Sequence, residues 1–215
     1  MYKAMIFDMN GVIVDDERIH QKSWREMCKK YGFMVTEEEF KHKVFGRTEK
    51  DTLNYLLKRE LNDIEVSKYS KERVKIAIDI YKDKITPTKG LLKILNLLNE
   101  LEIPLAIATS ARIPYTNFVL DTLKIRKYFS AIITAEDIVK GKPHPEIYLQ
   151  AANKLAIEPS KCVAIEDTLS GITSAKSAKM FTIGITTTHT EKELESADLI
   201  VSSFEELNNF IKNFK

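Results

Sequence analysis

The sequence has few of the features that mark a secreted or membrane-bound protein. Only two of its 215 residues are cysteines, Cys28 and Cys162, and both lie among apolar neighbours without any metal-ligand spacing. We interpret them as reduced core thiols of a cytoplasmic protein. No apolar run is long enough to span a bilayer, and the opening residues, MYKAMIFD, lack the features of a signal peptide.

An excess of charge of either sign is also missing. The chain has 33 Lys and Arg residues against 31 Asp and Glu residues, a formal net charge of +2. This balance gives no electrostatic drive toward nucleic acid or a membrane surface. A hydrophobic content of 44% is typical of an ordinary globular protein. Because no coiled-coil repeat or broad apolar stripe is visible, we expect a monomer.

Short apolar runs alternate with amphipathic helical patterns over most of the chain. The runs contain β-branched residues and are bounded by turn signals or helical periodicity, as buried parallel strands are. They cover residues 3–8, 104–109, 131–134, 162–166, 180–185 and 197–202. This alternation predicts an α/β fold with a Rossmann-like, doubly wound parallel sheet.

Residues 16–83 differ from the rest, because they show helical patterns and no buried-strand signal. Gly32 and Gly46 stand where two of these helices should end. The segment is too long for a crossover loop between two strands. We therefore predict an α-helical cap of residues 16–83 inserted into an α/β core of residues 1–15 and 84–215.

Polar side chains cluster at the predicted carboxyl ends of the strands, where open α/β sheets bind their ligands. In chain order these residues are Asp8, Asn10, Thr109, Ser110, Lys142, Glu166 and Asp167. The carboxylates are hard oxygen ligands of the kind that Mg²⁺ prefers. The hydroxyls and the lysine can hold phosphoryl oxygens, and Asp8 could then attack phosphorus to form an aspartyl phosphate. Taken alone, Thr109 also fits a helix-capping role, and Glu166 and Asp167 also fit the charge preference of a helix N-terminus.

Four short motifs contain these residues: DMNGVI, AIATSA, GKPHPEIY and IEDTLSGI. Their content and order resemble the haloacid dehalogenase-like superfamily, in the branch with a helical cap after the first strand. The resemblance covers essentially the whole chain. It is closest to the subgroup of β-phosphoglucomutases and sugar-phosphate phosphatases, which act on small phosphate esters.

The resemblance implies roles for individual residues. Asp8 would be the nucleophile, and residue 10 would be the general acid/base. The implied Mg²⁺ ligands are Asp8, Asn10 through its backbone carbonyl, Glu166 and Asp167. The implied phosphate-binding residues are Thr109, Ser110 and Lys142. In the cap, Arg47 would face the substrate, and His20 would either contact the leaving group or pack at the hinge.

Three departures from the family pattern stand out besides residue 10. Glu49 occupies the position of the mutase cap arginine, and Asp16 replaces an early linker threonine. Carboxylates there oppose binding of a second phosphate, so we rank phosphatase above phosphomutase. Lys179 replaces a glycine that serves a backbone turn before the fifth strand, which predicts some loss of stability.

Asn10 is the departure with chemical consequences. Its backbone carbonyl can still bind a metal, but an amide cannot give or take a proton at neutral pH. General acid/base catalysis contributes about 10²- to 10⁴-fold, so impaired turnover is expected. The substitution could be engineered to trap an intermediate, or natural in a slow enzyme or one that uses activated phosphates.

Two further functions stay open on the sequence. A protein with Asn10 could bind a phosphorylated metabolite without turning it over. The second open function is haloacid dehalogenation, because the dehalogenases of this superfamily lack the acid at the position of residue 10. It ranks low, because the Glu166–Asp167 pair provides a metal site that halide displacement does not need.

Overall fold

The computed structural model describes residues 2–44, 49–82 and 84–212. The chain divides into two units, one containing the residues up to Asp15 and from Ile85 onward, the other spanning Asp16–Lys84. We call the first the core unit and the second the cap unit. Within the described ranges, no helix is both long and apolar enough to cross a membrane.

The described residues of the core unit form a six-stranded sheet in which every neighbouring pair is parallel. The strands are β1 (Ala4–Phe7), β2 (Leu105–Ala108), β3 (Ala131–Ile133), β4 (Cys162–Glu166), β5 (Phe181–Ile185) and β6 (Leu199–Val201). Every residue of β1, β2 and β4 is buried, which explains why these runs lack polar alternation. The predicted doubly wound parallel sheet is confirmed.

Helices flank this sheet and make up the cap unit. The described helices are α1 (Glu17–Tyr31), α2 (Glu37–Glu39), α3 (Glu49–Leu57), α4 (Asp63–Tyr81), α5 (Leu91–Glu100), α6 (Ile113–Thr122), α7 (Glu146–Lys154), α8 (Leu169–Ser177) and α9 (Leu207–Lys212). Helix α7 packs over β1, β2 and β3. Its Tyr148, Ala151 and Ala152 join the small residues Ala106 and Ala108 in one buried cluster, so the helix lies close to the sheet.

The strand order, β3-β2-β1-β4-β5-β6, determines where a ligand can bind. Strands β2 and β3 lie on one side of β1. Strands β4, β5 and β6 lie on its other side. This reversal opens a crevice at the carboxyl ends of β1 and β4, the usual ligand position in open α/β sheets. Asp8 directly follows β1, and Glu166 is the last residue of β4.

The cap unit has its own apolar core, which includes Trp24, Met27 and Leu53. Gly32 ends α1 in the left-handed conformation, with φ of 69°, as its sequence position predicted. Gly46, the other predicted stop, lies outside the described residues. Helix α4 begins at Asp63, where the side chain of Asn62 accepts from the Glu65 N–H and caps the helix start.

Both cysteines are free and buried, as the composition predicted. Burial raises the pKa of the Cys28 thiol and that of the Cys162 thiol to about 11 each. Thiols with such a pKa are protonated at neutral pH and are poor nucleophiles.

Candidate active site

The first carboxylates of the site are positioned by two paired strands. Asp8 directly follows β1, and its backbone N–H donates to the Ile165 carbonyl of β4 at 3.0 Å. Glu166 is the last residue of β4, and Asp167 follows it. All three side chains are buried, with relative exposures of 7%, 1% and 3% for Asp8, Glu166 and Asp167. Their oxygens lie within 4.8 Å of one another, close enough to share one cation.

Lys142 neutralises part of this negative charge. Its Nζ donates to Asp8 Oδ1 at 2.5 Å, to Glu166 Oε1 at 2.5 Å and to the Ala108 carbonyl at 3.2 Å. Burial opposes the charged ammonium, but the attraction of the two carboxylates outweighs it and raises the pKa of Lys142 above its usual range. Lys142 is therefore a permanent cation of the site.

Glu166 has protein donors at both of its oxygens. Besides Lys142, Oε1 accepts from the Tyr148 hydroxyl at 2.6 Å. Oε2 accepts from the Asp167 N–H at 3.2 Å and from the Thr168 hydroxyl at 3.2 Å. Burial, followed by the charges of Glu166 and Asp8, raises the pKa of Tyr148 well above its usual value. Tyr148 thus stays neutral and donates.

Asp167 is held differently. Oδ2 accepts from the Thr188 hydroxyl at 2.5 Å, whereas Oδ1 is buried and has no hydrogen-bond donor among the described residues. Burial is the largest cause that raises the pKa of Asp167 to about 8, and the neighbouring charges of Asp8 and Glu166 add to it. A buried oxygen without a donor is an open ligand position.

Gly11 explains the turn after the nucleophile candidate. Its φ is +76°, and a Cβ placed on it would lie 1.9 Å from Asp167 Oδ2. Only glycine lets the backbone come this close to the carboxylate. The Thr187 hydroxyl, donating to the Gly11 carbonyl at 2.5 Å, holds this turn beside β5.

The donor set fits a divalent cation. With all three carboxylates ionised, as ligands of a cation must be, the single ammonium leaves a formal charge of −2 in a buried cluster. An uncompensated buried charge is costly, and hard oxygen ligands with one open position fit a hard divalent cation. Asp8, Glu166 and Asp167 are the carboxylates that would hold the ion, and Asp8 and Glu166 also accept from Lys142.

The other predicted core residues lie at or near the strand ends. Thr109 is fully buried after β2, where its hydroxyl oxygen accepts from the Ala111 N–H at 3.0 Å. Ser110 is exposed. Asn10 is half-buried and forms a β-bridge with Val14, within the turn that includes Gly11.

The predicted cap residues are described within the cap unit alone. His20 Nε2 lies 3.0 Å from Asp16 Oδ2, and His20 Nδ1 lies 3.2 Å from the Arg73 guanidinium. Glu49 accepts from Arg73 Nε at 2.7 Å and from the Ser70 hydroxyl at 2.5 Å. Arg47, the other predicted cap residue, lies outside the described residues.

Four residues of the site were not predicted from the sequence: Tyr148, Thr168, Thr187 and Thr188. Tyr148 belongs to the GKPHPEIY motif and Thr168 to the IEDTLSGI motif. Both residues therefore lie in motifs that the sequence analysis singled out, but neither was given a role there. Thr187 and Thr188 follow β5, and their position at a strand end was the available signal.

Comparison with known proteins agrees with this geometry. The family model described as haloacid dehalogenase-like hydrolase matches residues 5–185. The phosphorylated carbohydrates phosphatase of Thermotoga maritima is 30% identical over 177 residues, covering 82% of this chain and 81% of that protein.

Two solved structures extend the comparison over the whole chain. One is a HAD hydrolase of family IA, variant 3, from Entamoeba histolytica, with a TM-score of 0.90, 32% identity and coverage of 100% of this chain and 99% of that one. The other is β-phosphoglucomutase from Clostridium difficile, with a TM-score of 0.83, 28% identity and coverage of 100% and 97%. The chain therefore belongs to the haloacid dehalogenase-like hydrolase family.

Proposed function

We propose that this protein is a Mg²⁺-dependent phosphatase of small phosphate esters, with sugar phosphates as the substrate class. The observation that carries this proposal is the buried cluster of Asp8, Glu166 and Asp167 around Lys142, with its formal charge of −2. A divalent cation and a phosphoryl group together fit such a cluster. The substrate class is supported by the relatives, one named for phosphorylated carbohydrates and one a β-phosphoglucomutase.

Asp8 is the proposed nucleophile. In the first half-reaction a carboxylate oxygen of Asp8 bonds to phosphorus as the bond from phosphorus to the ester oxygen breaks. In the second, a water oxygen attacks phosphorus, the bond to Asp8 breaks, and inorganic phosphate leaves. Lys142 and Thr109 hold phosphoryl oxygens throughout, the first as a point charge and the second by a hydroxyl hydrogen bond. Bound Mg²⁺ would supply further neutralisation of the phosphoryl charge.

Asn10 limits both half-reactions in this proposal. The leaving alkoxide needs a proton, and the attacking water must lose one, but an amide can do neither. Solvent must then serve as acid and base, which forfeits about 10²- to 10⁴-fold in rate. An activated donor such as acetyl phosphate avoids the first problem, because its leaving group needs no proton. The aspartyl phosphate should then accumulate.

Intact-mass measurement after incubation with MgCl₂ and acetyl phosphate tests this proposal. We expect one phosphoryl group on the wild-type protein, a transient adduct with faster phosphate release on Asn10→Asp, and no adduct on Asp8→Asn. An adduct that survives in Asp8→Asn would contradict the assigned nucleophile. No adduct on the wild-type protein, with no phosphate release by Asn10→Asp, would favour a non-catalytic phosphometabolite-binding protein.

Phosphomutase activity is the second candidate, favoured by the likeness to β-phosphoglucomutase. Against it, Glu49 stands at the position of the mutase cap arginine, and Arg73 and Ser70 already donate to its carboxylate. Phosphorus NMR of Asn10→Asp with β-glucose 1-phosphate and a hexose bisphosphate separates the two. We expect inorganic phosphate, whereas glucose 6-phosphate as the main product would establish the mutase.

A further inference from the structure

The run Thr186-Thr187-Thr188-His189 follows β5 and brings a hydroxyl to the site. Because β5 pairs with β4, with Gly184 beside Glu166, the residues after β5 lie next to Asp167. Thr188 Oγ1 lies 2.5 Å from Asp167 Oδ2, 3.3 Å from the Asp167 carbonyl and 2.9 Å from His189 Nδ1.

The direction of these hydrogen bonds follows from the donors available. When a cation is bound, the Asp167 carboxylate is ionised and can only accept, and Thr188 has a single hydroxyl proton. That proton therefore points to Asp167, and His189 Nδ1–H donates to the Thr188 oxygen. Both partners together orient the hydroxyl, so it is a defined donor and not a rotating group.

The two oxygens of Asp167 then have different surroundings. Oδ2 lies between the Thr188 hydroxyl and the backbone of Gly11, where a Cβ would be 1.9 Å away. Oδ1 is buried and has no donor among the described residues. Partial rotation of the carboxylate would break the bond from Thr188, and a half-turn would only exchange its two equivalent oxygens, so the bond fixes the carboxylate plane.

We propose that Thr188 is a positioning residue of the metal site, whose hydroxyl holds Oδ2 of Asp167 so that Oδ1 is presented to the cation. This inference rests on the proposed function, because it needs a divalent cation at Asp8 and Asp167. Partners that orient a metal ligand typically contribute about 10- to 100-fold in metal affinity. Removing the Thr188 hydroxyl should therefore weaken cation binding, although Thr188 itself does not bind the cation.

Titration of MnCl₂ into the protein, with free Mn²⁺ followed by electron paramagnetic resonance, tests this without any substrate. Thr188→Val keeps the side-chain shape and removes the hydroxyl, Thr188→Ala removes it in a second way, and Thr188→Ser retains it. Thr186→Val is the matched control, because Thr186 is half-buried in the same run and its side chain has no described hydrogen bond. Urea unfolding of each metal-free variant reports on its fold.

We expect the Kd for Mn²⁺ to rise about tenfold in Thr188→Val and Thr188→Ala. In Thr188→Ser and Thr186→Val we expect it to stay within about threefold of wild type. Wild-type Mn²⁺ affinity in both Thr188→Val and Thr188→Ala, or an equal loss of affinity in Thr186→Val, would overturn the role of Thr188. Neither result would contradict the proposed metal site. No saturable binding of Mn²⁺ by the wild-type protein would overturn the metal site of the proposed function, and this inference with it.

Discussion

At the scale of single residues, the site depends on close approaches that one methyl group would prevent. Gly11 and Gly171 both lie against acidic side chains, and a Cβ on either would be 1.9 Å from an atom of Asp167 or Glu166. Gly171 lies in the first turn of α8, where its N–H donates to the Thr168 side chain at 3.1 Å. These two glycines therefore shape the carboxylate cluster without contributing a side chain to it.

Gly11→Ala should damage the cation site more than the fold. The new Cβ must displace the Asp167 carboxylate, so we expect the Kd for Mn²⁺ to rise at least about tenfold. Gly32→Ala is the control, because Gly32 has a similar φ of +69° and a Cβ added there would meet nothing within 4 Å. The control should lose about 1 kcal/mol of stability and no affinity. Equal affinities for Gly11→Ala and wild type would refute this account of the turn.

Tyr148→Phe should slow phosphoryl transfer by about tenfold. The substitution removes the hydroxyl that donates to Glu166 at 2.6 Å but keeps the ring, whose centroid lies 5.2 Å from Lys142 Nζ. A hydrogen bond to a charged group is worth about 1.5–3 kcal/mol in stability, and a loss of about 1.4 kcal/mol of it from the transition state alone gives tenfold in rate. The measurement is the rate of adduct formation from acetyl phosphate. Tyr128→Phe, which removes an exposed hydroxyl bonded to Asn96, should leave that rate unchanged.

At the scale of elements, the scarcity of glycine affects how helices end. The chain has only seven glycines, and several helices end in a left-handed residue that is not glycine. These residues are Lys58, Glu102, Lys124, Ala156 and Lys179, which follow α3, α5, α6, α7 and α8. A left-handed residue with a Cβ is strained by about 1–2 kcal/mol. The turn predicted at Lys179 is confirmed, with φ of 63°.

Lys179→Gly should stabilise the protein by about 0.5 kcal/mol. Relief of left-handed strain, about 1–2 kcal/mol, exceeds the entropy that glycine adds to the unfolded chain, about 0.4–1 kcal/mol. For a chain of this size the Tm should rise by about 1–2 °C. Lys179→Ala removes the same side chain but keeps the Cβ, so its Tm should match wild type. A Tm gain in Lys179→Ala as large as in Lys179→Gly would show that the lysine side chain, and not its backbone, is responsible.

At the scale of the whole molecule, the excess of negative charge in the site makes the free energy of unfolding depend on pH and on bound metal. Without metal, folded Asp167 holds its proton up to a pKa of about 8, whereas an exposed aspartate releases it near 3.8. Between these values the folded state binds more protons than the unfolded state. Stability from this group therefore falls as pH rises.

Urea unfolding in EDTA between pH 5 and 8 measures this link. We expect the free energy of unfolding of Asp167→Asn to decline less with rising pH than that of wild type. Added MgCl₂ should stabilise wild type more at pH 8 than at pH 5, because the cation binds the ionised carboxylate. Identical pH profiles for wild type and Asp167→Asn in EDTA would contradict the raised pKa.

The local pattern of apolar residues was sufficient to predict most strands of the sheet. The run at residues 3–8 became Ala4–Phe7, and the run at 162–166 became Cys162–Glu166, because buried parallel strands are apolar along their whole length. In the cap unit, a local capping box at Asn62 likewise sets the start of α4. Strand-end reasoning also predicted that Asp8, Lys142 and Asp167 would lie together, although their roles stay predictions.

The sequence by itself determined the alternation of strands and helices, the helical insertion and the acidic residues at the strand ends. These properties depend on periodicity and on neighbours in the chain. The tertiary structure alone decided which oxygens of those acids lack a hydrogen-bond donor and can bind a cation. Thr187 reaches Gly11 across 176 positions, Tyr148 reaches Glu166 from α7, and Thr188 reaches Asp167 from β5. Such contacts follow from strand order and helix packing. The sequence around a hydroxyl residue does not indicate which distant residue it will contact.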